Sequence, residues 1–239
     1  MKILAIETSE KNCEVYLSSN NREFQISNST PKAHSKRLLG MILEILKYGE
    51  IELEDIDAIS YGAGPGSFTG TRIAYCVGQG LSMPHNIILI PINNASALVR
   101  NCSLNTILYL SDARMNQLYG GVFKKTKDDL EIVEPMRIID KDHLFDIESQ
   151  ELSICGNAFL DNKEILLSKY NKKKIKFETF VPRAKFIHDE AKILLDNDKN
   201  LNFENNYIFY SREKIAYNLD EQKRLKKINV RSRKIKTKK

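Results

Sequence analysis

The chain has 239 residues, 42% of them hydrophobic and 28% charged, which is ordinary globular composition and enough length for one large or two small domains. No stretch approaches the roughly 18 consecutive apolar residues of a membrane span, and the opening Met1–Ile6 run is too short for a signal-peptide core. A cytoplasmic location is therefore expected. The net charge of +6 is unevenly placed, because ten Lys and Arg and no acid lie between Lys223 and Lys239, leaving the body at −4. Such a tail reads either as a disordered arm that meets phosphate electrostatically or as a solvated end without a partner.

The first third alternates between element types. Lys2–Glu7 and Cys13–Ser18 read as strands separated by a turn, and a third strand follows around Glu23–Ser27. Leu38, Ile42, Ile45 and Leu46 recur at helical spacing, so Ser35–Tyr48 is expected to be an amphipathic helix ended by Gly49. Ile56–Tyr61 is the next strand, a glycine-rich loop follows, and a helix runs from Phe68 to Met83 before Pro84. Ile87–Ile92 is a further strand.

A second block repeats the pattern with strands Thr106–Ser111, Gln117–Lys124 and Leu130–Pro135. A strand at Leu152–Cys155, a helix from Phe159 to Lys169, a strand near Lys176–Phe180 and a helix at Arg183–Leu195 complete it. Pro135–Glu151 and Leu201–Asn206 carry no clear element. Each block opens with an apolar strand that delivers an acid, Glu7 in one and Asp112 in the other. The expected fold class is α/β: a duplicated ribonuclease-H-like architecture of two lobes with mixed sheets, of the actin-like ATPase type. The expected division is residues 1–101 for the first lobe, 102–218 for the second and 219–239 for the basic tail, with Glu7 and Asp112 facing each other across the cleft.

Cys13, Cys76, Cys102 and Cys155 show no Cys-x-x-Cys pair, and His34, His85, His143 and His188 are equally scattered. Reduced thiols and no local zinc site are expected. The most informative stretch runs from Gly62 to Arg72 between a strand and a helix. Ser67 is placed to cap that helix, whose N-terminus is a potential anion site. No Lys follows Gly70, which excludes a Walker A loop, and the glycine spacing is one residue too long for a Rossmann fingerprint. Glu7, Thr8, Ser9, Gly64, Gly66, Ser67, Thr69, Gly70 and Asp112 are the candidate nucleotide or anion ligands. The alternative is a tight turn that packs helix on sheet and binds nothing. Gly70, Ala74 and Gly78 form a stripe of small residues that fits either the sheet or a partner helix.

The run Gly64-Pro65-Gly66-Ser67-Phe68-Thr69-Gly70 with Arg72 resembles the motif of the TsaB (YeaZ) family. Further landmarks are Ile6-Glu7-Thr8-Ser9, His34-Ser35, Asp112-Ala113-Arg114-Met115 with Tyr119, and Tyr210-Ser211-Arg212 followed by Ala216. Residues 125–205 add little. His34, Arg72, Arg114 and Arg212 are thus family-motif positions. Glu7 stands where that family usually has Asp, and the basic extension is not typical of it.

The resemblance implies a non-catalytic partner of the TsaD-like subunit that makes threonylcarbamoyladenosine in tRNA. It further implies contact with a TsaE-like ATPase, tRNA met through the complex, and a homodimer when TsaD is absent. The paralogue holds its metal with a His-x-x-x-His helix, and the corresponding positions here are Asn94 and Leu98, so no metal or catalytic centre of its own is expected. ATP or ADP remains possible at the lobe junction or a complex interface. The competing reading is a nucleotide-binding actin-like enzyme, an ATPase or a small-molecule kinase, in which Glu7, Thr8, Asp112 and the loop hold nucleotide and Mg²⁺. A metallopeptidase lacks its ligands here. Leu39 and Leu43 on the first long helix and Tyr75 and Met83 on the second are apolar residues beyond a single core stripe. They mark a partner interface of four-helix-bundle type or else complete the core.

Overall fold

The structure is a computed structural model that describes residues 1–30, 33–114, 116–126, 129–178, 181–197 and 207–209. Three strands, β1 (Ile3–Glu7), β2 (Cys13–Ser19) and β3 (Arg22–Asn28), form an antiparallel meander. Two more, β4 (Ala58–Gly62) and β5 (Ile88–Ile92), join β1 in parallel, giving the order β3-β2-β1-β4-β5. β1 and β4 are buried on both faces and are mostly apolar for that reason, with only Glu7 and Ser60 polar.

The second sheet repeats this plan. β6 (Thr106–Arg114), β7 (Gln117–Lys125) and β8 (Leu130–Asp140) are antiparallel, while β9 (Glu151–Cys155) and β10 (Lys174–Phe177) continue in parallel from β6. Its order, β10-β9-β6-β7-β8, is the first sheet's order read from the other edge. The fold is two mixed-sheet lobes of ribonuclease-H-like topology.

Helix α1 (His34–Gly49) buries Leu38, Met41, Ile42, Ile45 and Leu46, the three-and-four spacing that the sequence displays. Helix α2 (Phe68–Ser82) lies beside it on the same core. Its buried stripe is small: Gly70, Thr71, Ala74, Gly78 and Ser82. A methyl group on Gly78 would stand 2.9 Å from Leu89 Cδ1, so the stripe serves close packing on the sheet.

Five features depart from the sequence expectations. β8 runs through Pro135 to Asp140, which an edge strand tolerates, and its pairing with β7 shifts register around Gly120–Val122. A short helix, α3 (Asn94–Val99), follows β5, with the Asn93 side chain capping the amides of Ala95 and Ser96. α4 (Lys163–Lys169) begins later than expected, after a 3-10 turn at Leu160–Asn162, and β10 ends at Phe177.

The largest departure is α5 (Ala184–Asn197), which lies in the range expected to belong to the second lobe. It packs instead on the first sheet, burying Ala184, Ile187 and Ala191 against Ile3, Ala5, Tyr16 and Ile90. The Glu14 carboxylate, 3% exposed at its side chain, receives the Ala184 amide and the Arg183 guanidinium, which holds the start of α5 in place. Arg212, Leu201–Asn206 and the basic tail lie outside the described residues. No helix among those described is long and apolar enough to cross a membrane.

Candidate functional site

The glycine loop leaves β4 and closes on its own chain. Ala63 donates its amide to Ile92 O, Asn94 to Gly64 O, and Ser67 to Ser9 O, each at 2.8–2.9 Å. Gly64 has φ +101°, a conformation that side chains disfavour, and its peptide to Pro65 is cis. Ser67 caps α2 by accepting the Gly70 amide. A methyl at Gly70 would stand 2.0 Å from Thr8 O, and one at Gly66 2.5 Å from Ser9 Cβ. The Thr8 hydroxyl donates to Gly70 O at 2.7 Å. Thr8, Ser9, Gly64, Gly66, Ser67 and Gly70 are therefore brought together, but by contacts among themselves. Thr69 is exposed on the first turn of α2.

Glu7 is buried to 1% exposure, and its carboxyl Oε1 accepts the Ser9 amide. Burial, opposed by the bonds from Ser9, pushes its pKa up to about 7. Among the described residues Oε2 has no partner, and neither has the buried Asn94 Oδ1. Both crowd Gly62, where a methyl would meet Oε2 at 2.0 Å and Asn94 Oδ1 at 2.7 Å. The Asn94 amide nitrogen donates to Ser9 Oγ at 2.7 Å and to Pro65 O at 3.3 Å, which fixes Oδ1 as the acceptor. Protonation of the Glu7 carboxyl removes the charge from a fully buried group, the direction in which burial moves its pKa.

This geometry corrects one expectation. Glu7 is turned into the protein and does not look across a cleft. Asp112 is exposed, and its amide donates to Asn157 Oδ1 at 2.9 Å. Asn157 Nδ2 in turn donates to Glu10 Oε1 at 3.1 Å. Glu10, three residues beyond Glu7, is thus the acid that reaches the second lobe, and its pKa is raised chiefly by desolvation. Sequence reading missed Glu10, Asn94's structural role and Asn157; no local motif marks any of them. The described segment Tyr207–Phe209 also meets the loop. Phe209 donates its amide to Ala63 O at 2.8 Å, and Tyr61 donates its hydroxyl to Tyr207 O at 2.9 Å.

On the outer faces of α1 and α2 the expected apolar residues divide. Leu39 is 51% exposed, Leu43 70% and Met83 67%. Tyr75 is half-buried, its ring 5.7 Å from that of Tyr61, and packs on the core, so it is not spare surface. Phe68 is exposed at the start of α2 with the Arg72 guanidinium 3.3 Å over its ring. Gly40 and Gly80 sit on open helix surface, with nothing near where a side chain would begin. His34 opens α1 with a buried Nε2 that lacks a partner among the described residues. Arg114 lies at the end of β6.

Comparison with known proteins adds to this geometry. The family model for tRNA N6-adenosine threonylcarbamoyltransferase (TsaD) matches residues 25–236. The chain is 35% identical over 123 residues to the tRNA threonylcarbamoyladenosine biosynthesis protein TsaB of Haemophilus influenzae, a match covering 50% of this chain and 52% of that one. With the Escherichia coli TsaB it shares 31% over 160 residues, covering 64% and 68%. It shares 25% over 209 residues with a Buchnera aphidicola TsaB (strain APS), covering 85% and 95%. The match thus spans about half the length of the Haemophilus relative and two thirds of the Escherichia one. In fold the chain is similar to YeaZ from Pseudomonas aeruginosa, with a TM-score of 0.74 at 22% identity over 88% of this chain and all of that one.

Proposed function

The chain belongs to the TsaB family of tRNA threonylcarbamoyladenosine biosynthesis proteins, and we propose that it serves there as a non-catalytic subunit that binds and activates a TsaD-like catalytic partner. One observation carries this reading. Where the resemblance leads one to expect the partner's two metal-binding histidines, this chain has Asn94 and Leu98. The Asn94 amide is spent holding Ser9 and the Pro65 carbonyl, and Leu98 is fully buried in the core between the lobes. Asn94 offers an amide in place of an imidazole, and a leucine cannot coordinate a metal at all. The glycine loop then acts as a packing device, because the Ser67 and Gly70 amides at the start of α2 are already taken up by Ser9 and Ser67. The test is threonylcarbamoyl transfer to tRNA by this chain alone, by the TsaD-like subunit alone and by both together. Activity that needs both supports the reading, and transfer by this chain alone overturns it.

The partner surface in this reading is the outer side of α1 and α2, where Leu39, Leu43, Phe68 and Met83 are exposed. The open helix positions at Gly40 and Gly80 would let a partner's helices approach closely. A TsaE-like ATPase and tRNA join through that complex, and two copies of this chain pair by the same face when the partner is absent. The double variant L39D/L43D should melt like the parent, since neither side chain belongs to the core, and lose affinity for the TsaD-like subunit by about a hundredfold. Undiminished co-elution of the variant with that subunit would put the interface elsewhere.

A further inference from the structure

A second polar cluster lies where α5 crosses β2, away from the glycine loop. Tyr16 and Ser18 point to the same face of the sheet because strand side chains alternate. The His188 ring, 3% exposed, stands 4.8 Å from that of Tyr16. Its Nε2 is 2.8 Å from Ser18 Oγ, and its Nδ1 is 2.9 Å from Asp189 Oδ1. Burial works against the Asp189 charge, yet the bond from His188 and the nearby Lys185 ammonium hold its carboxyl below the ordinary value. An ionised Asp189 accepts Nδ1–H and leaves Nε2 free to take a proton from Ser18. Ser18 and His188 open onto a cavity of about 520 Å³, which Ser19, Arg22 and Lys192 also line.

We propose that Ser18, His188 and Asp189 form a nucleophilic hydrolytic site that accepts a small carboxylic ester in this cavity. The arrangement meets the geometric requirements of such a site: nucleophile bonded to base, and base bonded to an orienting carboxylate. Ser18 Oγ adds to the ester carbonyl carbon as its proton passes to His188 Nε2, and the carbonyl electron pair moves onto oxygen. Lys192 stands one turn beyond His188 on the same face of α5 and supplies the positive charge for that oxygen. When the carbonyl re-forms, the C–O bond to the alcohol breaks, and the alcohol leaves with the proton from Nε2. Water then repeats both steps on the acyl-serine, releasing the acid and restoring Ser18. This site is separate from the glycine loop and does not depend on the function proposed above.

The experiment is to treat the full chain with a fluorophosphonate probe, locate the adduct by peptide mass spectrometry, and follow p-nitrophenyl acetate hydrolysis in parallel. The expected result is an adduct on Ser18, absent in S18A and formed about a hundredfold more slowly in H188Q. Ester hydrolysis should fall in the same two variants. No adduct on Ser18 in the parent chain overturns the proposal whatever the variants do, and would leave the cluster as a polar staple for α5. Equal labelling of parent and H188Q overturns it too. Should H188Q fail to fold, by circular dichroism, D189N replaces it, because it keeps the imidazole but loses the orienting charge. D189N must label at least tenfold more slowly than the parent, on the magnitude by which general-base assistance contributes, and unchanged labelling refutes the idea.

Discussion

The two lobes share one strand order, yet they solve the same crowded position differently. Where β4 ends beside β1, Gly62 is pressed by the Glu7 carboxyl and the Asn94 amide. Where β9 ends beside β6, Gly156 has φ +102° and is pressed by the Leu110 carbonyl, so the constraint there is backbone alone. The first lobe has built side-chain chemistry into a place where the second keeps only the fold. Its helices differ in the same sense. α1 and α2 are 16 and 15 residues long, whereas α4 has only seven, although Ile165 and Leu167 are exposed on it as Leu39 and Leu43 are on α1. A duplicated topology thus tells where strands go, and the departure of one copy from the other tells where specialisation lies.

The largest expected effect falls in the second lobe. In Gly156→Ala the new methyl would stand 2.0 Å from Leu110 O, in a left-handed conformation, and no side chain can move aside to relieve it. Stability should drop by more than about 3 kcal/mol in urea unfolding, or soluble protein should be lost altogether. A mild loss would mean that β6 and β9 can part there, and the contrast between the lobes would weaken.

The Glu7 proton comes next. Its folded pKa of about 7 lies above the unfolded value of 4.5, so the folded state holds the proton more tightly. Its contribution is therefore favourable at low pH, declines between pH 4.5 and 7, and stays diminished above that. The full span is roughly 3 kcal/mol, an order-of-magnitude figure for 2.5 pH units. Glu7→Gln, neutral throughout, should remove this decline, so that the variant gains on the parent as pH rises from 5 to 8. Parallel stability curves for parent and variant over that range would show that Glu7 is already ionised near pH 5.

Much of this was legible in the chain itself. The α1 face followed from the spacing of Leu38, Ile42 and Ile45, and the Gly64–Gly70 run announced a close approach. α3 is not legible in the sequence because six residues carry too little periodicity to stand out. Pro135 ends the expected strand because a proline speaks against a strand, and only the sheet order shows that β8 is an edge. Sequence neighbours place α5 with the second lobe, whereas Glu14, 170 positions earlier, decides where it docks. Glu7 looked like a ligand because an acid at a strand end usually faces solvent. The Asn94 side chain that crowds Gly62 together with it becomes visible only once β5 lies beside β4.

Gly62→Ala tests the first lobe's half of the comparison. The methyl would collide with a carboxyl that can turn away, so the loss should be smaller than at Gly156, about 1–3 kcal/mol. The double variant with Glu7→Ala should recover part of that loss, since the two changes touch one another. A strictly additive double variant would mean that the Asn94 amide, not the carboxyl, sets the limit.

The smallest effect separates folding from association. Gly78 and Gly80 lie two residues apart on α2 but face opposite ways: a methyl at Gly78 meets Leu89 Cδ1 at 2.9 Å, and one at Gly80 meets nothing within 4 Å. Alanine in place of an unpacked helix glycine stabilises by roughly 0.5–1 kcal/mol. Gly80→Ala should therefore raise the melting temperature of the free chain by a few degrees, and Gly78→Ala should lower it. Gly80 thus carries a cost that the isolated lobe does not explain. If a partner helix seats against α2, the same methyl that steadies the free chain should weaken the complex with the TsaD-like subunit, measured by titration calorimetry. Stabilisation with unchanged affinity would dissociate Gly80 from the interface and leave Leu39, Leu43, Phe68 and Met83 to carry the partner surface.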